Sequence, residues 1–369
     1  MAHIIHTPRW IFYKKFDSGG RRLMPRRALI TGGAGFFGEI LKLRLLALNY
    51  ECVSIDLQRD DTHHPNLTAI QGDIRDRAAL ESIFAARQFD VVFHCAAILA
   101  HAVKDPAFLW SSNVVATETL ASLAAAHGVP KLVFISSNCL WAEPFDRPVT
   151  EDDEPRPREI YGRSKWEGEK VLLAYRDRFA PVILRTPTII APGRLGLLAM
   201  LFDFILEGRR VWVVGGGENC YQFVYGPDLA DACIRTVDAN VSGVFNVGSD
   251  RVDTLRAVYQ SVIDRAGTGA RIASVPRVPT LALMRLAHAM GLSPLGPYQY
   301  RMIAESFVFD TSKIKRVLKW TPTLTNSEML YEAFEYYRQN RRELHARRDV
   351  SAHKRPAPMG IVRVVKWMS

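Results

Sequence analysis

Tyr161 and Lys165 stand one helical turn apart in the run Tyr161-Gly162-Arg163-Ser164-Lys165, so on a helix their side chains share a face. A phenol beside an ammonium is a proton-transfer pair. The positive charge favours phenolate and lowers the tyrosine pKa, so that the group serves as base in an oxidation and as acid in a reduction. Upstream, Ser136-Ser137 closes an apolar run, and Ser137 offers a hydroxyl that can orient a substrate oxygen as charge develops on it. In a chain with 12 tyrosines a lysine four residues on is common by itself. The weight of the pair comes from its position after the Ser-Ser strand end.

Moving a proton in this way is useful when a hydride moves too, and a third motif provides for that. Thr31-Gly32-Gly33-Ala34-Gly35-Phe36-Phe37-Gly38 fits G-x-G-x-x-G between a strand-like and a helix-like segment. Glycines allow a tight turn and close approach of backbone to phosphate, while the helix N-terminus supplies unpaired amides and the positive end of its dipole. Asp56 ends the next strand candidate, where a carboxylate accepts hydrogen bonds from a ribose diol and repels a 2′-phosphate. NAD is therefore expected in preference to NADP, with nearby Arg59 as the counter-argument. Taken singly, the loop also fits a plain glycine turn and Asp56 a loop aspartate.

These motifs need a frame. Ala28–Thr31, Glu51–Asp56, Val91–Ala97, Leu132–Ser136 and Val182–Arg185 read as strands. Between them, Gly35–Asn49, Ala78–Arg87, Leu109–His127 and Tyr161–Arg178 read as helices, the third stopping at Gly128-Val129-Pro130. That alternation predicts an α/β fold with a parallel sheet covered on both faces. From Ala191 the alternation fades and Gly215-Gly216-Gly217 marks a less regular lobe. The expected organisation is a basic extension (1–23), a nucleotide domain (24–190, completed by parts of 222–250), a smaller substrate lobe (191–337) and a basic tail (338–369).

Gly72-Asp73-Ile74, His94-Cys95-Ala96-Ala97 and Asn113 follow the glycine loop in an order that resembles the extended short-chain dehydrogenase/reductase family, also described as the NAD-dependent epimerase/dehydratase family. The resemblance runs over roughly residues 26–337. It implies a Rossmann-type doubly wound parallel sheet with a smaller C-terminal substrate lobe, NAD as cofactor and no metal. It assigns the cofactor to Gly32, Gly35, Phe36, Phe37, Gly38, Asp56, Asp73, Ile74, Ala96, Ala97, Asn113, Tyr161, Lys165 and Pro187, and catalysis to Ser137, Tyr161 and Lys165. His94 reads as a buried strand histidine in preference to a catalytic one. Similar dehydratases place carboxylates directly after the Ser position, whereas this chain has Asn138 and Cys139, so an elimination would need a carboxylate from elsewhere, such as Glu143.

Sugar-nucleotide enzymes similar to this chain carry L-R-x-x-N and a later Arg that pairs with a diphosphate. Here Thr188 replaces the Asn and Tyr221 the Arg, with Arg194 and Arg301 as candidates to compensate. Leu281, Leu283, Met284, Leu286, Ala287 and Met290 make a hydrophobic helix ending at Gly291, read either as core packing or as an apolar lid like that of 3β-hydroxysteroid-dehydrogenase-like relatives. The expected function is an NAD-dependent oxidoreductase interconverting a secondary alcohol and a ketone on a lipid-like or other non-nucleotide substrate. The alternative is a sugar-nucleotide epimerase that retains its NAD. A third reading, a non-catalytic NAD sensor, leaves Ser137, Tyr161 and Lys165 without a purpose.

The formal charge of +10 sits at the chain ends. Arg9, Lys14, Lys15, Arg21 and Arg22 face only Asp17 before Met24, residues 338–369 are strongly basic, and the body is close to neutral. A small-molecule substrate is expected and nucleic acid is not. The tail segment Ile361-Val362-Arg363-Val364-Val365-Lys366-Trp367-Met368 fits an amphipathic helix on an anionic membrane, or a strand packed on the body or on a homodimer partner. Met24 directly precedes the first strand and reads as an alternative start. Cys52, Cys95, Cys139, Cys220 and Cys233 show no close pairing, which with no secretory apolar run and no spanning stretch points to the cytoplasm, with peripheral membrane contact through the tail left open.

Overall fold

The computed structural model describes residues 25–99, 105–290, 297–346, 353 and 354. Met24 and the segment 361–368 lie outside them. The chain opens with β1 (Arg27–Thr31), α1 (Phe36–Ala47), β2 (Glu51–Asp56), β3 (Leu67–Gln71), α2 (Arg77–Ala86) and β4 (Val91–His94). It continues through α3 (Pro106–Trp110), a π-helical turn (Ser111–Val115), α4 (Ala116–Ala126), β5 (Lys131–Ser137), α5 (Ile160–Ala174) and β6 (Ala180–Thr186). A seventh strand, β10 (Gly243–Asn246), joins the same sheet later, giving the order β10-β6-β5-β4-β1-β2-β3 with every pairing parallel. Sequence order reverses between β1 and β4, and in such sheets the crevice beyond the strand ends at that point receives the ligand.

The central strands are apolar along their whole length because helices cover both faces. On one face Leu41 and Leu45 of α1 pack with Leu229, Cys233, Ile314 and Trp320, and on the other Leu80, Phe84, Leu120 and Leu172 close over Leu29 and Val53. β3, with its half-exposed edge pattern, carries no apolar run strong enough to stand out in the sequence. Strand β4 stops at His94, short of the expected Ala97, because the chain leaves the sheet there to meet Asn113.

The second lobe contains β7 (Thr188–Ile190), α6 (Leu198–Leu206), β8 (Arg210–Val214), β9 (Phe223–Tyr225), α7 (Gly226–Asp238), β10 (Gly243–Asn246), α8 (Leu255–Ala266), β11 (Arg271–Val275), α9 (Arg277–Ala289), α10 (Pro297–Ala304), α11 (Ser312–Leu318) and α12 (Asn326–Ala346). Of these, β10 joins the central sheet, and α7 and α11 pack on its face. The lobe has its own core, in which Trp141, Phe202, Phe223, Phe307, Phe309 and Phe334 meet. Helix α8 is bounded as its sequence dictates: Thr254 caps the Ala257 amide, and Gly267 takes the left-handed conformation that ends the helix.

The apolar segment after Val278 forms α9, which is only partly packed: Leu281 and Met284 are half-buried and Ala287 is buried, while Leu283 is 63% exposed, Leu286 56% and Met290 55%. Helix α12 runs on past Arg338 to Ala346, with Leu344 fully buried and Arg341 bound to Asp203 and Glu207. Among the described residues no helix is long and apolar enough to cross a membrane, and all five cysteines are free.

Candidate active site

The glycine loop lies at the switch point, between β1 and α1. Gly32 has φ +73°, and a Cβ there would come within 2.7 Å of the Ala96 amide nitrogen. At Gly38 a Cβ would meet the Gly32 carbonyl at 2.0 Å. Both positions therefore exclude any side chain, and the bare backbone forms a cradle for a flat, anionic group. Phe36 and Phe37 are buried behind it. Asp56 reaches the loop from β2, its Oδ2 accepting from the amides of Ala34 (3.0 Å) and Gly35 (3.1 Å) and its Oδ1 from Gln58 (2.9 Å). Burial raises its pKa, while these amides and Lys354 pull it down.

Asp73 and Ile74 follow β3 on the same side. The Asp73 carboxylate is held by Arg75, which lowers its pKa, and Arg75 in turn lies 4.2 Å from the Phe108 ring. Ala96 and Ala97, both half-buried, stand beside the glycine loop beyond β4. Asn113, in the π-helical turn, accepts from Ile98 N–H (2.7 Å) and donates to Ile98 C=O (2.9 Å) and Ser164 Oγ (3.1 Å). Its amide thus ties the segment after β4 to α5 and holds the alanines against the loop. Extra residues in helices of this kind often mark functional sites.

His94 is structural, and its tautomer follows from its neighbours. Thr117 Oγ1 spends its proton on the Asn113 carbonyl (2.8 Å), so it accepts from His94 Nε2 (2.8 Å), leaving Nδ1 to accept from Thr31 Oγ1 (2.6 Å). The Ala96 amide completes the chain by donating to Thr31 Oγ1 at 3.3 Å. Desolvation, helped by the Lys165 charge, depresses the His94 pKa to about 3, so the ring stays neutral.

Ser137 ends β5 and the α5 face opposite carries Tyr161 and Lys165. Ser137 Oγ accepts from the Cys139 amide (3.2 Å) and also hydrogen-bonds the Tyr161 side chain. Burial pushes the Tyr161 pKa up, and the Arg194 charge and the Ser137 hydroxyl pull it down. Lys165 is buried, donates to the Ile135 carbonyl (2.9 Å), and lies 4.5 Å from the Phe134 ring. Desolvation lowers its pKa to about 8. Arg194, which the sequence suggested only as a phosphate contact, adds positive charge that favours the phenolate. Lys165, on the same helix face, bonds the β5 backbone because a buried ammonium needs a hydrogen-bond acceptor.

Below this triad lies a support missed in the sequence. Glu169, one turn beyond Lys165, is fully buried, accepts from Ser136 Oγ (2.5 Å) and forms a forked pair with Arg185, whose guanidinium also lies 5.2 Å from the Trp141 ring. The 3.6-residue period places Glu169 on the face of Tyr161 and Lys165, which was the available signal. Asn138 donates to the Tyr221 hydroxyl at 2.7 Å, so two of the four residues that depart from the expected patterns meet in one buried bond beside Ser137. Pro187 is buried after β6, and Thr188 donates to the Met302 sulfur at 3.8 Å. The Arg301 side chain lies outside the described residues. Glu143 is a surface residue paired with Arg158, away from a role in elimination.

A glycine cradle at the switch point of a doubly wound sheet, with Ser, Tyr and Lys at the adjoining strand end, defines a nucleotide-dependent enzyme of the extended short-chain dehydrogenase/reductase type. The chain belongs to the NAD dependent epimerase/dehydratase family, which it matches over residues 28–248. It is 37% identical to an uncharacterized protein, y4nG, of Sinorhizobium fredii over 93% of this chain and 86% of that one. It is 28% identical to a UDP-glucose 4-epimerase of Mycolicibacterium smegmatis, covering 85% of this chain and 98% of that one. Among solved structures, the Bordetella bronchiseptica enzyme WbmG in complex with NAD shares the fold with a TM-score of 0.70 at 22% identity, covering 86% of this chain and 96% of that one. NAD is the cofactor of this enzyme.

Proposed function

We propose that the protein is a sugar-nucleotide 4-epimerase that keeps its NAD through the cycle. The observation that carries this reading is near-complete coverage of the Mycolicibacterium smegmatis UDP-glucose 4-epimerase, with no domain of that enzyme left unmatched. The lipid-like dehydrogenase expected from Thr188, Tyr221 and the apolar helix gives way to it. Leu283, Leu286 and Met290 of α9 face outward, and the Tyr221 hydroxyl accepts from Asn138 within the protein.

The residues fit the task. Gly32 and Gly38 let the loop pack tightly on Ala96 and on itself, which sets the N-terminus of α1 where a pyrophosphate would lie, and Asp56 offers a carboxylate for the ribose diol. When bound, oxidised NAD supplies hydride acceptance and a positive ring that favours phenolate. Tyr161 takes the proton of the sugar hydroxyl and returns it after the keto sugar has presented its other face. Ser137 holds the reacting oxygen, and Arg194 supplies positive charge near the phenol. Asn138 and Cys139 place no carboxylate next to Ser137, which disfavours elimination.

The test is incubation of the purified protein with UDP-glucose, followed by chromatography of the sugar nucleotides and absorbance at the NADH band. The expected result is UDP-galactose without net NADH. Stoichiometric NADH with a keto product, or no conversion of any nucleoside-diphosphate sugar, would refute the reading.

A further inference from the structure

The chain returns to its own cofactor loop 320 positions later. Lys354 Nζ donates to the Ala34 carbonyl at 2.9 Å and pairs with Glu39 of α1 at 2.6 Å. The neighbouring His353 packs edge-on against Phe36, with ring centroids 6.4 Å apart, and its carbonyl accepts from the Leu195 amide at 2.8 Å. Leu195 follows Arg194, whose guanidinium stands 5.4 Å from the same Phe36 ring and whose charge reaches Tyr161. Two residues beyond the family match therefore join the glycine loop to the turn that carries Arg194.

We infer that His353 and Lys354 form a latch on the glycine loop, and that Lys354 is a positioning residue for NAD. The peptide joining Ala34 to Gly35 is gripped at both ends: its carbonyl by Lys354 and its N–H by Asp56 Oδ2 at 3.1 Å. The C=O and N–H of a trans peptide point in opposite directions, so an ammonium that fixes the carbonyl also fixes where the amide points. This matters when a ribose diol engages Asp56 and that carboxylate weakens its hold on the loop amides. Lys354 then keeps the peptide from turning its carbonyl toward the pyrophosphate. It also adds a positive charge, 15% exposed, at the edge of an anion site. The latch deepens the proposed function, since an epimerase that must not lose its cofactor between half-reactions gains from slow release.

The experiment measures the release rate of bound NAD from the full-length protein by chase with excess fluorescent etheno-NAD, in the absence of any sugar substrate. Wild type is compared with Lys354→Met, Lys354→Arg and Arg342→Met, the last removing an exposed charge of α12. Release from Lys354→Met should be about tenfold faster, the scale of one charge-assisted hydrogen bond. Arg should restore most of the retention, and Arg342→Met should behave as wild type. Release at the wild-type rate from Lys354→Met would overturn the latch, as would tighter binding, which would mean that Lys354 competes with NAD. The readout requires no epimerisation, so failure of the sugar-nucleotide reading leaves the release ratio unaffected.

Discussion

Gly162 stands between Tyr161, the proposed acid and base, and the rest of α5, and its lack of a side chain sets the position of that tyrosine. A Cβ at this position would lie 2.3 Å from the Cys139 carbonyl oxygen and 3.0 Å from Pro157 Cβ. Carbon and oxygen in non-bonded contact need roughly 3.3 Å, so Gly162→Ala forces the first turn of α5 and the turn after Ser137 apart by about 1 Å. Because Ser137 and Tyr161 sit on opposite sides of that contact, the displacement enters their hydrogen bond directly. A misplacement of about 1 Å at reacting groups costs on the order of 10²-fold in rate, while the overpacking costs about 1–3 kcal/mol of stability. The assay is kcat for sugar-nucleotide interconversion beside denaturant unfolding. Gly128→Ala is the control: with φ +66° and open space around its Cβ position, it should lose about 1–2 kcal/mol and keep kcat. Wild-type kcat in a folded Gly162→Ala protein would refute the reasoning.

Three further outcomes follow from the site. Tyr161→Phe should lower kcat by about 10²–10⁴-fold with NAD stoichiometry unchanged, measured by turnover and by cofactor released on denaturation. His94, with its folded pKa depressed to about 3, adds stability that is lost as pH falls from about 6.5 toward 3, because the unfolded chain takes up the proton first. Between pH 7 and pH 5 wild type should lose about 2 kcal/mol more than His94→Gln in urea unfolding; equal losses would contradict the buried neutral ring. Glu169→Ala leaves the Arg185 guanidinium buried without its carboxylate, and should cost about 3–5 kcal/mol by the same method, whereas Glu169→Ala with Arg185→Met should recover much of that loss.

The alternation of strands and helices from β1 to β6 was legible in the sequence because each strand is buried on both faces and reads as a short apolar run. β3 was not, since an edge strand such as Leu67–Gln71 is only partly covered. The outward face of α9 was hidden for the opposite reason: an apolar helix has the same residues whether it faces the core or leaves it.

Local chemistry by itself determined the glycine loop, the Tyr161 and Lys165 pair and the Ser137 strand end, because each depends on spacing within one turn or one helix. Tertiary structure decided what surrounds them. Arg194 acts on Tyr161, Glu169 bonds Ser136 and Arg185, Asn138 meets Tyr221, and Lys354 grips Ala34. Each of these joins elements far apart in the chain. Periodicity can put Glu169 on the active face but does not say which partners meet, since the charge and burial that make each meeting favourable exist only once the sheet, the lobe and the C-terminal segment have packed together.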